Sequence, residues 1–272
     1  MFRCLIAIGF ASVTALSGFA CERRPEWRPA DTAGYAAAVD ECLANKVDGL
    51  RFDEALEAEN LTRVNAARRS AGLPPLQIRR ELLTAARLHS FDMAQDRFFD
   101  HEGPDRRKAA DRVAALDRTL IHSELRENIA TVRGDLKWDE AGQILHNILM
   151  DSPGHRENIL APDITHIAIG VARYEKGAWL TQVFVRQEGA FRHDVPTSAS
   201  REDLARLTSD LRDWMPDGLL LAIDDVEYPV SADVLLPTGE AALRVIGTRQ
   251  ADANRRFIIH LPGPSVTVAP QD

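Results

Sequence analysis

The chain has no excess of positive charge, few cysteines and no long apolar run beyond its first 20 residues. Its 33 basic and 41 acidic residues give a net charge of −8, which argues against nucleic acid as the main partner. The sequence contains no His-Glu-x-x-His motif, no Gly-x-Ser-x-Gly motif and no phosphate-binding loop. These absences argue against a zincin protease, a hydrolase with a nucleophile elbow and a P-loop protein. With 272 residues, the chain is long enough for one or two domains.

The N-terminal segment, residues 1–20, is typical of an export signal. Arg3 precedes an apolar stretch over 5–16, and Gly18-Phe19-Ala20 places small residues where a signal peptidase prefers them. The apolar stretch is short for a membrane span. We therefore expect a secreted or periplasmic protein with no transmembrane span in its mature chain. An uncleaved anchor is the alternative.

Two cysteines, Cys21 and Cys42, follow this segment, and Cys4 lies inside it. In an exported protein two cysteines can form a disulfide, here closing a short loop. The alternative is a lipoprotein in which Cys21 is the lipidated first residue. Residues 17–20 lack the leucine expected three positions before such a cysteine, and the bulky Phe19 stands two positions before it. The sequence therefore favours a disulfide or a plain thiol.

Apolar periodicity predicts helices and then strands in the central part of the chain. Residues 21–52 are expected to be a mobile lead-in, partly helical over 36–43. The predicted helices span 53–72, 81–99, 111–116 and 141–150. The predicted extended segments span 127–131, 164–173 and 179–185. The last two are joined by a hairpin turn in which Gly177 is expected to supply a positive φ.

The predicted helix over 81–99 turns one stripe of side chains inward, at 4,3,4 spacing: Leu82, Ala86, His89 and Met93. On this stripe His89 is better explained as a core histidine hydrogen-bonded to backbone than as a ligand. Phe98 and Phe99 are expected to anchor the end of the helix in the core.

The last part of the chain changes pattern. Residues 188–200 contain Pro196 and several Ser and Thr residues, which is typical of a linker. One amphipathic helix is then predicted by the spacing of Leu204, Leu207, Leu211 and Trp214. Short β-like runs follow over 219–223, 241–246, 257–261 and 266–268. Residues 201–272 are therefore expected to form a small β-rich module that serves interaction or anchoring.

Three motifs in the middle of the chain resemble a known family. The first is Phe98-Phe99-Asp100-His101, followed by Pro104-Asp105 and Asp111-Arg112, and the second is Glu127-Asn128-Ile129-Ala130. The third is Ser152-Pro153-Gly154-His155-Arg156, followed by Asn158-Ile159-Leu160 and Pro162. In this order they resemble bacterial proteins of the CAP superfamily (cysteine-rich secretory protein, antigen 5, pathogenesis-related 1; the SCP domain). The resemblance covers about 53–187 and implies an α+β fold, a three-layer α-β-α sandwich.

The resemblance also implies that His101, Glu127 and His155 face one another. Two imidazoles and a carboxylate suit a divalent cation, Zn or else Ca or Mg, and three ligands leave a coordination position open. The same residues without a metal could do acid–base chemistry, since histidine titrates near neutral pH. His155 is expected just past a helix end, in a turn made by Pro153 and Gly154.

The sequence departs from the family pattern at two places. Ser152 stands where the wider family has a second Glu. The neighbouring Asp151 could take the place of that Glu, but the sequence does not show where its side chain points. Arg106 stands where the first motif often has Gly, so the turn there is expected to differ. We expect Asn128, Arg156 and Asn158 to support the site, the last two by hydrogen bonds that hold the segment around His155.

Two further histidines, His122 and His166, are isolated in the sequence and are better explained as surface or strand residues than as ligands.

Three functions remain open. The first is a binding module for a lipid, peptide or envelope partner, because proteins of one fold need not share one activity. The second is a metal-assisted, peptidase-like hydrolase that uses His101, Glu127 and His155. The third is a structural component of the cell envelope.

Overall fold

The computed structural model of the chain describes residues 31–135, 137–224, 226–231, 235–252 and 255–270. The predicted signal segment and Cys21 lie outside these residues, so export, lipidation and the Cys21–Cys42 disulfide stay predictions. None of the described helices combines the length and the apolar character that crossing a membrane requires.

The described helices lie mainly before β4, and strands dominate the rest of the chain. The helices are α1 (Thr32–Ala44), α2 (Glu54–Ser70), a 3₁₀ turn (Arg80–Leu82), α3 (Leu83–Asp96), α4 (Ala109–Leu116), α5 (Trp138–Asp151), α6 (Pro153–Ile159) and α7 (Arg201–Ala205). The strands are β1 (Arg51–Phe52), β2 (Gln77–Ile78), β3 (Leu120–Arg133), β4 (His166–Tyr174), β5 (Gly177–Phe191), β6 (Ser198–Ala199), β7 (Ser209–Leu211), β8 (Met215–Ile223), β9 (Val226–Pro229), β10 (Gly239–Asp252) and β11 (Arg255–Val268).

The first sheet has the order β1-β4-β5-β3, with β2 also paired to β4 and β7 to β5. Side chains alternate across β4, so Ile167, Ile169 and Val171 pack with α2, α5 and α6, whereas Ala168 packs on the other face with α3 and α4. Helices therefore cover both faces of the sheet. The predicted α+β fold with α-β-α layers is confirmed.

Helix ends follow local chemistry. The Asp53 side chain caps α2 by accepting from the Leu56 amide, as its position before the helix predicts. Helix α3 ends at Asp96, earlier than predicted, because Arg97 adopts a left-handed conformation with φ 57°. Phe98 packs against the core, but Phe99 is 50% exposed, so the prediction that both phenylalanines are core anchors is wrong for Phe99.

The segment before α2 packs as part of the domain. Helix α1 is longer than the predicted helical portion, and its Tyr35, Val39 and Cys42 side chains are buried. The expectation of a mobile lead-in is therefore wrong for residues 31–52.

The turn between β4 and β5 has the predicted place but not the predicted mechanism. The positive φ falls on Glu175, at 50°, and not on Gly177. A Cβ atom at Gly177 would lie 2.7 Å from the Trp179 ring, so lack of space is the reason for glycine at this position.

The C-terminal part forms a second sheet of order β6-β11-β10-β8-β9. The four predicted β-like runs lie in β8, β10 and β11. The predicted helix through Leu204 and Trp214 is wrong: α7 ends at Ala205, and Leu211 lies in β7, paired with Gly189 of β5. Strand β5 also runs to Phe191, into the predicted linker.

Candidate functional site

The candidate site lies at one edge of the first sheet, on β3. Among the described strands β3 pairs with β5 alone, with Glu127 opposite Val183 and Asn128 opposite Gln182. Successive side chains of a strand point to opposite faces. Glu127 therefore reaches α3 and α4 on one face, and Asn128 reaches α6 on the other. The edge of β3 is where residues from both layers meet.

Both carboxylate oxygens of Glu127 are engaged. Oε1 accepts a hydrogen bond from Nδ1 of His101 at 2.8 Å, and Oε2 accepts one from the guanidinium of Arg112 at 2.6 Å. The side chains of Glu127 and Arg112 are 5% and 2% exposed, whereas the His101 side chain is 52% exposed. The carboxylate is thus a buried anion neutralised by a buried cation, with a half-exposed imidazole in front of it.

The contact between Glu127 and His101 shifts both pKa values. Burial would raise the pKa of Glu127, but the hydrogen bond from His101 and the charge of Arg112 outweigh it and lower this pKa. The same hydrogen bond raises the pKa of His101, against the opposing effect of its partial burial. Since Nδ1 of His101 donates to the carboxylate, Nε2 is the nitrogen left for a ligand.

His89 of α3 lies behind this pair and is fully buried. Its Nε2 donates to the Asp100 carbonyl at 2.9 Å and lies 3.9 Å from Oε1 of Glu127. Burial, assisted by the charge of Arg112, lowers the pKa of His89 to about 4, so the imidazole is neutral. It is the backbone-bonded core histidine that the sequence predicts, and it also forms the back wall of the site.

His155 approaches from the other layer. It lies in α6, whose first residue is Pro153, and not in an irregular turn after α5. Proline suits the first position of a helix, so Pro153 begins a new helix here as well as ending the last one. Burial lowers the pKa of His155, and the charge of His101 lowers it further. The buried Nδ1 of His155 has no hydrogen-bond partner in the described part of the chain.

A chain of amide side chains holds α6 against β3. Asn128 donates to the carbonyl of His155 at 3.0 Å and to the Gln182 side chain at 3.1 Å. Asn158 donates to the Asn128 side chain at 2.8 Å and to the carbonyl of Glu127 at 3.3 Å. Gln182 in turn donates to Asn60 of α2 at 3.2 Å. These four side chains fix the backbone of His155 relative to that of Glu127.

Three other predicted residues lie near His155 without such contacts. Asp151 is exposed at the end of α5, and Ser152 separates α5 from α6 without capping α6 by its side chain. The expectation that the Arg156 side chain holds this segment is wrong: that side chain is exposed and makes no hydrogen bond to any described residue.

The departure at Arg106 has a visible consequence. This residue adopts φ 66°, a left-handed conformation that favours glycine, and its amide donates to the Gly103 carbonyl at 2.8 Å. The turn therefore keeps a backbone suited to glycine while carrying an arginine. The prediction that the turn itself differs finds no support in this geometry.

The arrangement does not fit a metal ion as it stands. No group of three His, Cys, Asp or Glu side chains in the described ranges is placed to hold one. Oε2 of Glu127 is bound to a guanidinium, a cation that a metal ion would have to displace. Zinc binding to His101, Glu127 and His155 thus remains a prediction that titration must test.

Some site residues give little or no signal in the sequence. Arg112 stands in the first motif, which does not indicate its role, and Asn60 and Gln182 belong to no motif.

The isolated His122 and His166 lie in strands, and His166 contacts the Thr165 hydroxyl at 2.8 Å. Both occupy strand positions, as the sequence predicts.

Part of the chain is similar to known proteins. Residues 61–184 match the CAP family, described as the Cysteine-rich secretory protein family. The uncharacterized protein YkwD of Bacillus subtilis strain 168 is 32% identical over 155 residues. That alignment covers 57% of this chain and 56% of YkwD, so the chain spans little more than half of this relative.

Two solved structures are also similar. An outer surface protein from Borrelia burgdorferi is 14% identical with a TM-score of 0.43, covering 50% of this chain and 98% of that protein. An extracellular protein containing an SCP domain from Bacillus anthracis is 26% identical with a TM-score of 0.41, covering 49% of this chain and 41% of that protein.

Proposed function

From the premise that residues 61–184 are a CAP domain of the cysteine-rich secretory protein family, we propose that the chain is an exported binding protein. Its binding surface is the edge of β3 around His101 and His155. The partner is a lipid, a peptide or a component of the cell envelope. The export signal in the sequence supports the location, and the site geometry supports binding over catalysis.

The observation that carries this proposal is the state of Glu127. A carboxylate whose two oxygens accept from His101 and Arg112 is held in place and neutralised. Such a group is poorly placed to act as a general base, because its pKa is lowered and each of its oxygens already accepts a hydrogen bond. It instead orients His101, whose free Nε2 can contact the polar group of a ligand.

The test is the identity of molecules that copurify with the protein. Lipids and peptides bound to the purified chain are identified by mass spectrometry for the wild type, His101→Ala and His155→Ala. We expect a defined lipid or peptide on the wild type and its loss from both variants. Arg156→Ala is the matched control, because this neighbour of His155 is exposed and should leave the ligand in place.

The proposal is wrong if the same molecules accompany all four proteins. A lowered melting temperature of His155→Ala with no change in bound ligand would favour the purely structural envelope component.

A hydrolase is the second candidate, and one observation favours it. The pKa of His101 is raised while that of His155 is lowered, which is the pattern of a paired acid and base. No described Ser, Thr or Cys side chain hydrogen-bonds to either imidazole, so water would have to be the nucleophile. Hydrolysis of a peptide library that persists equally in both alanine variants would remove these histidines from the mechanism.

A further inference from the structure

The second sheet ends in a two-stranded ribbon. Strand β10 pairs with β8 as far as Thr248, opposite Met215, but with β11 as far as Asp252, opposite Arg255. Strand β6 covers the other edge of β11 only at Thr267 and Val268. Residues 248–252 and 255–258, here called the distal ribbon, therefore extend beyond their neighbouring strands.

One face of the distal ribbon carries exposed apolar side chains near its base, followed by the exposed polar pair Gln250 and Arg256. Thr248 lies directly opposite both Met215 and Ile258, so the three side chains share one face. The Met215 side chain is 73% exposed and that of Ile258 is 62% exposed. Large apolar side chains that remain this exposed next to each other mark an interaction site more often than isolated ones do.

The opposite face carries an exposed aromatic ring beside a cation. Phe257 lies opposite Arg249 and is 50% exposed. The Arg249 guanidinium lies 4.7 Å from the centre of the Trp214 ring and 5.9 Å from that of Phe257. The Arg249 guanidinium is thus close to two aromatic rings, with its charge beside an apolar surface.

Exposed apolar side chains on both faces of the ribbon distinguish a protein partner from a lipid partner. A protein that pairs with the ribbon edge or packs on one face leaves the other face in water, whereas a lipid interface surrounds the ribbon. Aromatic rings and arginines are side chains that favour the membrane interface. Arg249 has no acidic partner among the described residues, whereas Arg255 pairs with Asp252 at 2.6 Å and Arg256 pairs with Asp217.

We propose that the distal ribbon docks on an anionic lipid surface, with Met215, Phe257 and Ile258 in the interfacial layer and Arg249 at the headgroups. This would give the C-terminal module an anchoring role in an exported protein. The inference is independent of the site at His101, which lies on the first sheet.

The experiment is cosedimentation of the purified full chain with vesicles. One set contains equal parts of phosphatidylglycerol and phosphatidylcholine, and the other contains phosphatidylcholine alone. We expect stronger binding to the first set, and Phe257→Ser combined with Ile258→Ser should weaken it about tenfold or more, given the apolar area removed. Val226→Ser is the matched control, because Val226 is also 50% exposed but lies on β9.

Brominated lipids give a second measurement that does not depend on the double variant. They should quench tryptophan fluorescence in the wild type, and Trp214→Phe should lose most of this quenching. Equal vesicle binding by the double variant and the wild type overturns the proposal, as does no binding by the wild type. A concentration-dependent dimer that the double variant abolishes would overturn it in favour of contact between two copies.

Discussion

The guanidinium of Arg112 lies 2.6 Å from Oε2 of Glu127, and both side chains are almost completely buried. Arg112 also donates to the carbonyls of Arg107 at 2.7 Å and His101 at 3.3 Å. One side chain therefore neutralises the carboxylate and fixes the loop that presents His101. Removal of one partner of a buried ion pair leaves the other charge unpaired, which costs more than the pair itself contributes.

Arg112→Met should accordingly destabilise the protein by about 3–5 kcal/mol. The measurement is the free energy of unfolding in urea. Arg126→Met on the same strand as Glu127 is the control, because the ion pair of Arg126 with Glu124 is near the surface and should contribute about 1 kcal/mol or less. Equal losses in the two variants would mean that the Arg112–Glu127 pair has no special role in stability.

Zinc affinity should rise when Arg112 is removed. In the wild type, a metal ion has to displace a charged hydrogen bond at Oε2 of Glu127. Such bonds contribute about 1.5–3 kcal/mol, so Arg112→Ala should bind zinc about tenfold more tightly or better. Calorimetric titration measures this, after circular dichroism has verified that the variant is folded.

Zinc affinity should also depend on pH, and one outcome of the titration would contradict the prediction. Zinc binding should weaken as pH falls, because a protonated imidazole cannot coordinate a metal ion, and the raised pKa of His101 places the onset above the usual histidine value of about 6.5. Wild-type protein that binds zinc as tightly as Arg112→Ala would show that the guanidinium does not block the metal.

Arg106→Gly should stabilise the protein by about 1 kcal/mol, because the residue has φ 66° and glycine adopts that conformation without steric cost. Thermal unfolding measures the effect. Arg106→Ala is the control: alanine meets the same steric penalty and should give no gain. A gain of the same size from alanine would trace the effect to charge or side-chain entropy instead.

Most helices and strands of the first sheet and its covering layers could be predicted from the sequence, because the helices carry apolar stripes and the strands alternate. Their arrangement in three layers was implied only by the family resemblance. Helices α2, α4 and α5 lie where apolar spacing places them. The predicted helix through Leu204 and Leu211 is wrong because 3,4 spacing does not exclude two short elements. Leu204 is buried in a one-turn helix, and Leu211 packs from a strand that joins the first sheet.

The site was only partly accessible from the sequence. The motifs point to His101 and Glu127, which the structure brings into contact. The role of Arg112 depends on tertiary position, since a buried arginine is recognisable only once its carboxylate is located. The hydrogen-bonded amide side chains depend on tertiary position still more, because Gln182 and Asn60 are 122 positions apart and meet only when α2 packs on the sheet.

Asn128→Ala should destabilise the protein by about 2 kcal/mol or more, because it leaves the buried Gln182 side chain and the His155 carbonyl without a donor. It should also shift the NMR signals of the His155 ring, since α6 loses its link to β3. Asn147→Ala is the control, as Asn147 is exposed on α5 and its loss should change stability by about 0.5 kcal/mol or less. An unchanged His155 signal in Asn128→Ala would mean that the amide chain does not position this imidazole.

Acid should destabilise the protein partly through His122 of β3. Burial lowers the pKa of this imidazole from 6.5 to about 4, with Asp117 opposing the shift and Arg79 adding to it. Between these two pH values the unfolded chain binds a proton that the folded chain does not, so stability falls as pH falls through this range. His122→Gln cannot titrate there and should flatten the dependence of unfolding free energy on pH between about 6.5 and 4.

Urea unfolding at several pH values measures the slope. The control is His193→Gln, which replaces an exposed histidine and should leave the slope unchanged. A slope that is the same in His122→Gln and the wild type would mean that other groups account for the acid sensitivity.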